Sequence, residues 1–223
     1  MINVAIDGPS GAGKSTVSKA VAKELGYIYI DTGAMYRTLA YKAIKLGIDI
    51  SSESGAVQSM LDNTKIDIRH GEDGQHMFAD GEDVTAFIRT PEVSMGASAI
   101  SAIPFVRSWL LDMQRSLAKG NNCIMDGRDI GTVVLPDAKV KIFLTASSEE
   151  RAKRRFAELV QRGEHVTFED VLSDMIKRDN NDTTRECAPL AAANDAIIVD
   201  SGSITFDETV DKIIDIIKDK VGE

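Results

Sequence analysis

Asp7-Gly8-Pro9-Ser10-Gly11-Ala12-Gly13-Lys14-Ser15-Thr16 is the stretch on which the reading of this chain turns. Gly8 through Ser15 fill every defining position of the phosphate-binding pattern G-x-x-x-x-G-K-[ST]. The flanks are those the pattern requires. Ile2-Asn3-Val4-Ala5-Ile6 before it is a short apolar run, and Val17, Ala20, Val21 and Leu25 after it recur at helical spacing. The order is therefore strand, glycine-rich turn, helix. Gly8, Gly11 and Gly13 let the backbone curl with its N–H groups pointing inward, and the helix N-terminus adds partial positive charge. Pro9, Ser10, Ala12 and Thr16 complete the loop. Lys14 is expected to reach the β- and γ-phosphates, and the Ser15 hydroxyl to ligate Mg²⁺. The stretch predicts a bound nucleoside triphosphate.

Working outward, 223 residues suffice for one α/β domain with insertions or two small ones. The net charge of −9 argues against a general nucleic-acid or anionic-membrane surface. No apolar run approaches the roughly 18 residues of a spanning helix, and Met1-Ile2-Asn3 leads straight into the first strand. Neither a membrane span nor a signal peptide is expected. Cys123 and Cys187 form no C-x-x-C, and Cys123 sits in an apolar strand where it reads as a core thiol. His70, His76 and His165 lack metal-ligand spacing. These features predict a soluble protein of a reducing compartment, the cytoplasm.

Tyr27-Ile28-Tyr29-Ile30 reads as a second buried strand that stops at Asp31-Thr32-Gly33, and Ala34 to Leu46 as a helix closed by Gly47. Open α/β sheets bind ligands at such strand ends, so Arg37, one turn into the helix, is either a crevice residue or a solvated surface arginine. Residues 62–86 change character. Lys65 to Arg69 and Gln75 to Ala79 read as strands around turns at Asp73-Gly74 and Asp80-Gly81, a small antiparallel meander inserted into a β/α chain. Thr90 and Pro91 start a helix. Another runs from about Phe105 to Lys119, with Arg107 placed against the dipole in its first turn, a mild sign of function.

Asn122 to Met125 reads as a strand that runs into Asp126-Gly127-Arg128-Asp129. Asp126 at its tip is a candidate second support for Mg²⁺ or its waters. Arg128 and Asp129 are either ligand contacts or a mutual surface pair contributing under about 1 kcal/mol. Val140 to Thr145 is a further strand. A basic helix from Ser148 carries Arg151, Lys153, Arg154 and Arg155, and Thr167 to Asp170 resembles a capping box for the next helix. This hairpin reads as a mobile lid over phosphates, spanning about 151–170, or as a solvated amphipathic pair. Lys177-Arg178-Asp179 and Asp182 to Arg185 follow, then a strand from Ala196 to Asp200 and a closing helix from Thr205 to about Val221. One triphosphate loop and a surplus of arginines (Arg37, Arg128, Arg178, Arg185) point to a small-molecule kinase whose acceptor is itself a phosphate.

The runs Asp7 to Lys14, Asp31 to Arg37, Asp126 to Val134 with Pro136-Asp137, and Ile142 to Arg151, with the Arg178-Asp179 to Arg185 segment, together resemble the bacterial cytidylate kinase family. The likeness covers essentially the whole chain, meander included. It implies an α/β, P-loop three-layer fold: a central parallel five-stranded sheet, an inserted antiparallel β subdomain and a helical lid within a single domain over 1–223. It also implies transfer of the ATP γ-phosphate to CMP or dCMP, with Mg²⁺, by a monomer of pyrimidine nucleotide metabolism. Carried over by position, Lys14, Arg128 and Arg185 are catalytic, and Arg37, Arg128 and Arg185 hold the CMP phosphate. Arg178 and Asp182 lie near the ribose, while Ser98, Arg107 and Asp129 face cytosine. Asp126 lies at the substrate. Thr32 stands where the family often has serine and keeps the hydroxyl. Arg151 and Arg155 belong to the lid on the ATP side. Cytosine offers an N4 donor beside an N3 acceptor, matching Asp129 and Arg107; uracil reverses both. The rival readings are a UMP or AMP kinase on the same core and an ATP-binding module without activity. A guanine-reading switch would need N-K-x-D, which the chain lacks.

Overall fold

The computed structural model describes residues 1–50, 54–71 and 74–222. In chain order the elements begin with β1 (Asn3–Asp7), α1 (Lys14–Leu25), β2 (Ile28–Asp31), α2 (Thr32–Lys45) and α3 (Gly55–Asp62). Next come β3 (Ile66–Gly71), β4 (Gly74–Ala79), β5 (Glu82–Asp83), α4 (Pro91–Ile100) and α5 (Pro104–Ala118). The chain closes with β6 (Cys123–Gly127), a π-helical turn (Ile130–Val134), β7 (Val140–Thr145), α6 (Ser148–Gln161), α7 (Phe168–Thr184), β8 (Ile197–Asp200) and α8 (Phe206–Val221). Two compact units result, one of residues 1–29 with 120–223 and one of residues 30–119.

The first unit is built on the sheet β2-β6-β1-β7-β8, in which β1 pairs in parallel with both β6 and β7, and β7 with β8. Val4, Ile6, Ile124, Ile142, Leu144 and Val199 are buried with Val17 and Val21 of α1 and Ile213, Ile214 and Ile217 of α8. Near-continuous apolar strands are what a parallel sheet covered by helices needs. Register matters at the carboxyl edge: Ile6 pairs with Asp126 and Asp7 with Gly127, so the β1 and β6 tips end level. Reciprocal capping boxes open α6 (Ser147 with Glu150) and α8 (Thr205 with Glu208). At α7, Thr167 caps the backbone as expected, but the Asp170 carboxylate accepts from the Thr167 hydroxyl at 2.6 Å. Aspartate is one methylene shorter than the glutamate that normally reaches back to the cap N–H.

In the second unit, β3 and β4 pair antiparallel and the short β5 pairs with β4, forming a sheet of its own. Gly74 opens β4 with φ 123°, while Asp73 of the expected turn lies outside the described residues. α2 and α4 pack closely: a Cβ on Gly96 would sit 3.2 Å from Ala40 Cβ and 3.1 Å from Ile50 Cδ1. Thr90 and Pro91 start α4 as the sequence predicts. Met35, Leu39, Leu61, Met77, Ile100 and Leu110 form the core here. Among the described residues no helix is long and apolar enough to cross a membrane.

Candidate active site

The loop between β1 and α1 is shaped by contacts only glycine permits at its start. Gly8 has φ 149°, and a Cβ there would lie 2.0 Å from the Leu144 carbonyl oxygen of β7. Gly11 and Gly13 also have positive φ, 76° and 87°. Lys14 is buried and its Nζ donates to the Gly8 and Pro9 carbonyls, both at 2.7 Å, closing the loop on itself. Burial, and then the Arg128 guanidinium, push the Lys14 ammonium well below the usual lysine pKa, while Asp126 and Asp7 oppose the shift. Ser15 Oγ donates to Asp126 Oδ2 at 2.8 Å, and the Tyr29 hydroxyl donates to the same oxygen at 3.3 Å. Thr16 is exposed in the next position of the helix.

Beyond the β6 tip, arginine and aspartate pair across elements. Arg128 Nε donates to Asp182 Oδ2 of α7 at 2.8 Å, and Arg185 lies 3.6 Å from Asp129. The sequence left open a pair between neighbouring Arg128 and Asp129; each instead engages a residue from the end of α7. α7 runs through the whole Lys177 to Thr184 segment as one helix, so Arg178 and Asp182 stand one turn apart on one face. Burial opposes ionisation of Asp182, but the Arg128 and Arg178 guanidiniums hold its carboxyl below the usual range. Arg151 is a buried strut. Its guanidinium donates to Ala146 O at 2.9 Å, Ser10 O at 2.9 Å and Asp179 Oδ2 at 2.6 Å, tying the phosphate loop to α6 and α7. Arg155 instead pairs with Glu158 at 3.0 Å on the α6 surface.

In the second unit, Asp31 caps α2 by accepting from Ala34 N at 2.8 Å, and its other oxygen accepts from Arg37 at 2.8 Å. Arg89 approaches the same oxygen at 3.4 Å. Burial pushes Asp31 up, but Arg37 and Arg89 outweigh it and hold the carboxyl below its ordinary value. Thr32 is buried at the first position of α2. Ser98 and Arg107 are buried as well, and Arg107 donates to Ser101 O at 3.0 Å with its guanidinium 5.4 Å from the Tyr36 ring centre. Ser101 caps the C-terminus of α4, so the cation opposed to its own helix dipole is favoured by a neighbouring one.

A model of the cytidylate kinase family matches residues 4–219. The chain belongs to the cytidylate kinase family. It is 52% identical over 221 residues to a cytidylate kinase of Caldicellulosiruptor saccharolyticus, covering 99% of this chain and 97% of that one. Identity is 54% over 215 residues to a cytidylate kinase of Caldicellulosiruptor bescii, covering 96% and 95%. Among solved structures, an uncharacterized protein from Eubacterium ventriosum aligns with a TM-score of 0.54 at 14% identity over 98% of this chain and 99% of that one, a likeness of fold.

For this cytidylate kinase family member, the Mg²⁺ expectation is tested by the donors present. Ser15 Oγ and Asp126 Oδ2 stand 2.8 Å apart, an all-oxygen pair at the helix N-terminus. Among the described residues no cluster of three or more His, Cys, Asp or Glu is placed to hold a metal ion. Mg²⁺ bound with substrate phosphates needs only one or two protein oxygens, with waters for the rest, so the pair fits.

In the sequence Asp7 reads only as the residue that leads into the loop, yet it is a brace between β1 and the π-helical turn. Its two oxygens accept from Ile130 N at 2.8 Å and Gly131 N at 2.7 Å, fastening the π-helical turn beneath the loop. Burial pushes its carboxyl up to about 6 despite those bonds. A raised carboxyl favours the folded state below the unfolded value and loses that contribution as pH climbs through the folded one. The rise from 3.8 to about 6 corresponds to on the order of 3 kcal/mol. Urea unfolding of wild type and Asp7→Asn between pH 4 and 7 should therefore show the wild-type advantage largest at pH 4 and shrinking toward pH 7. A constant difference would mean that Asp7 titrates normally.

Proposed function

We propose that this chain is a cytidylate kinase, transferring the γ-phosphate of ATP to CMP or dCMP to give ADP and CDP or dCDP. The observation that carries this reading is membership of the family across residues 4–219. Lys14 and the loop amides would hold the ATP phosphates and stabilise the charge that develops during transfer. Ser15 and Asp126 would hold Mg²⁺, which when bound supplies neutralisation of the β- and γ-oxygens. Arg151 would support the ATP side through its bond to Ser10 O, with Arg155 further along the same helix.

Arg37, Arg128 and Arg185 would bind the acceptor phosphate. Arg37 and Arg128 each hold an aspartate at 2.8 Å, and an entering phosphate dianion would compete for those guanidiniums. Arg178 and Asp182 would contact the ribose, Ser98, Arg107 and Asp129 the cytosine, and Thr32 the nucleotide near the start of α2. No general base is needed, because a phosphate oxygen of CMP is already a nucleophile. Action as a monomer in the cytoplasm belongs to the same proposal.

The test is ADP production from Mg-ATP with CMP, dCMP, UMP or AMP supplied separately, beside an ATP-only control. CMP and dCMP should turn over strongly. UMP should be at least about tenfold poorer, since each buried mispairing costs about 1–3 kcal/mol. Robust UMP turnover would overturn the roles of Arg107 and Asp129. Loss of ATP without any monophosphate would overturn the acceptor.

A further inference from the structure

We propose that Arg89 is a second cation for the acceptor phosphate monoester, held ready beside Arg37 by the carboxylate of Asp31. The inference rests on the reading that Arg37 binds that phosphate. Two guanidiniums face one aspartate here, at 2.8 Å for Arg37 and 3.4 Å for Arg89. One negative charge against two positive ones leaves an excess of one, suited to a dianion. Arg37 Nε adds a buried donor without an acceptor in the protein. A buried donor of this kind carries a desolvation cost that an incoming phosphate oxygen would remove.

Arg89 is the weaker of the two cations on Asp31. The Asp31 oxygens are already occupied by Ala34 N and Arg37 at 2.8 Å, and a third, longer contact from a half-exposed side chain contributes little to folding. The stem of Arg89 is nonetheless fixed. Ile88 before it is fully buried, and Thr90 after it caps α4 with Pro91 in the first turn. A fixed stem with an exposed cationic head is the arrangement expected of a ligand contact, since little backbone ordering remains to be done on binding. Asp31 caps the N-terminus of α2, and Arg89, which reaches it, stands one residue before the Thr90 cap of α4. Gln75 of β4 steadies the same place by accepting from Asp31 N at 2.9 Å.

The experiment compares CMP and cytidine binding by full-length wild type, Arg89→Gln and Arg89→Lys, using calorimetry for CMP and NMR titration for cytidine. Loss of one charge-assisted contact should weaken CMP binding by between about tenfold and a hundredfold in Arg89→Gln. Cytidine, lacking the phosphate, should bind all three proteins alike. Arg89→Lys should recover part of the CMP affinity, because the charge remains and the fork is lost. KM for CMP should rise in Arg89→Gln while KM for ATP stays put, and the unfolding midpoint should not move. Equal CMP affinity in wild type and Arg89→Gln would overturn the proposal, as would an equal fall for CMP and cytidine. A wild type that binds ATP but not CMP would remove the acceptor reading itself, and this inference with it.

Discussion

Lys14→Met should lower kcat by about two to three orders of magnitude while leaving KM for CMP near the wild-type value. Preorganised donors aimed at charge that develops in the transition state are worth about 10²–10³ each. Lys14 is the one cationic residue of the loop and, on the proposed reading, would bring a full charge to the triphosphate. Its ammonium is held by the Gly8 and Pro9 carbonyls at 2.7 Å, so the cation is in place before any nucleotide arrives. Methionine matches the length of the side chain and removes only the charge and the donors. Those two carbonyls then lose a partner, at a cost of about 1–3 kcal/mol. Relief from burying a cation whose pKa is driven down by desolvation offsets part of it. The folded state should therefore survive, with activity falling far more than stability. Steady-state kinetics with CMP, read beside a urea unfolding curve, separates the two effects. A kcat within tenfold of wild type would mean that the phosphate charge is carried elsewhere, by the loop amides and the arginines.

How much of this was legible in the sequence depended on the range of the interaction involved. The phosphate loop is local. Spacing, glycines and flanking periodicity all lie within about two dozen residues, and β1 and α1 form where the pattern predicts. Capping is local too, and Thr90-Pro91 announced α4. What escaped reading was set by neighbours distant in the chain. Tyr29 looks like any aromatic of a buried strand until β6 places Asp126 within reach of its hydroxyl. Asp7 shows its use only when the turn at Ile130 folds over it, more than a hundred residues later. Arg151 sits in a basic run that reads as a lid over phosphates or as a solvated amphipathic pair, and only Ser10 O and Asp179 reveal why it is buried. Arg89 and Arg37 are separated by the whole antiparallel sheet and meet on one oxygen of Asp31. α3 was missed because eight residues give barely two turns of periodicity. The family resemblance supplied residue roles that spacing alone left open, but none of these supporting contacts.

The largest structural effect should come from the smallest substitution, Gly8→Ala. The new methyl would meet the Leu144 carbonyl oxygen at 2.0 Å and its carbonyl carbon at 3.0 Å. Both atoms are backbone, in a strand that pairs with β1 from Val4 to Asp7, so no rotamer change can relieve the overlap. The φ of 149° is also one that L side chains rarely adopt. Overpacking of about 1–3 kcal/mol and backbone strain of similar size together amount to roughly 2–6 kcal/mol, a large share of a typical total of about 5–15. The central strand must separate from β7 or the loop must lift away. Either movement carries off the carbonyls of Gly8 and Pro9 that hold Lys14, so ATP binding should be lost together with stability. Gly13→Ala is the control. It too has positive φ, 87°, but nothing lies within 4 Å of the added methyl. Strain alone should then cost about 1–2 kcal/mol. Denaturant unfolding of both variants, followed by calorimetric titration with ATP, distinguishes close approach from backbone conformation as the reason for glycine at position 8. If Gly8→Ala is no less stable than Gly13→Ala, the contact with Leu144 yields easily and the phosphate loop is not anchored by the sheet.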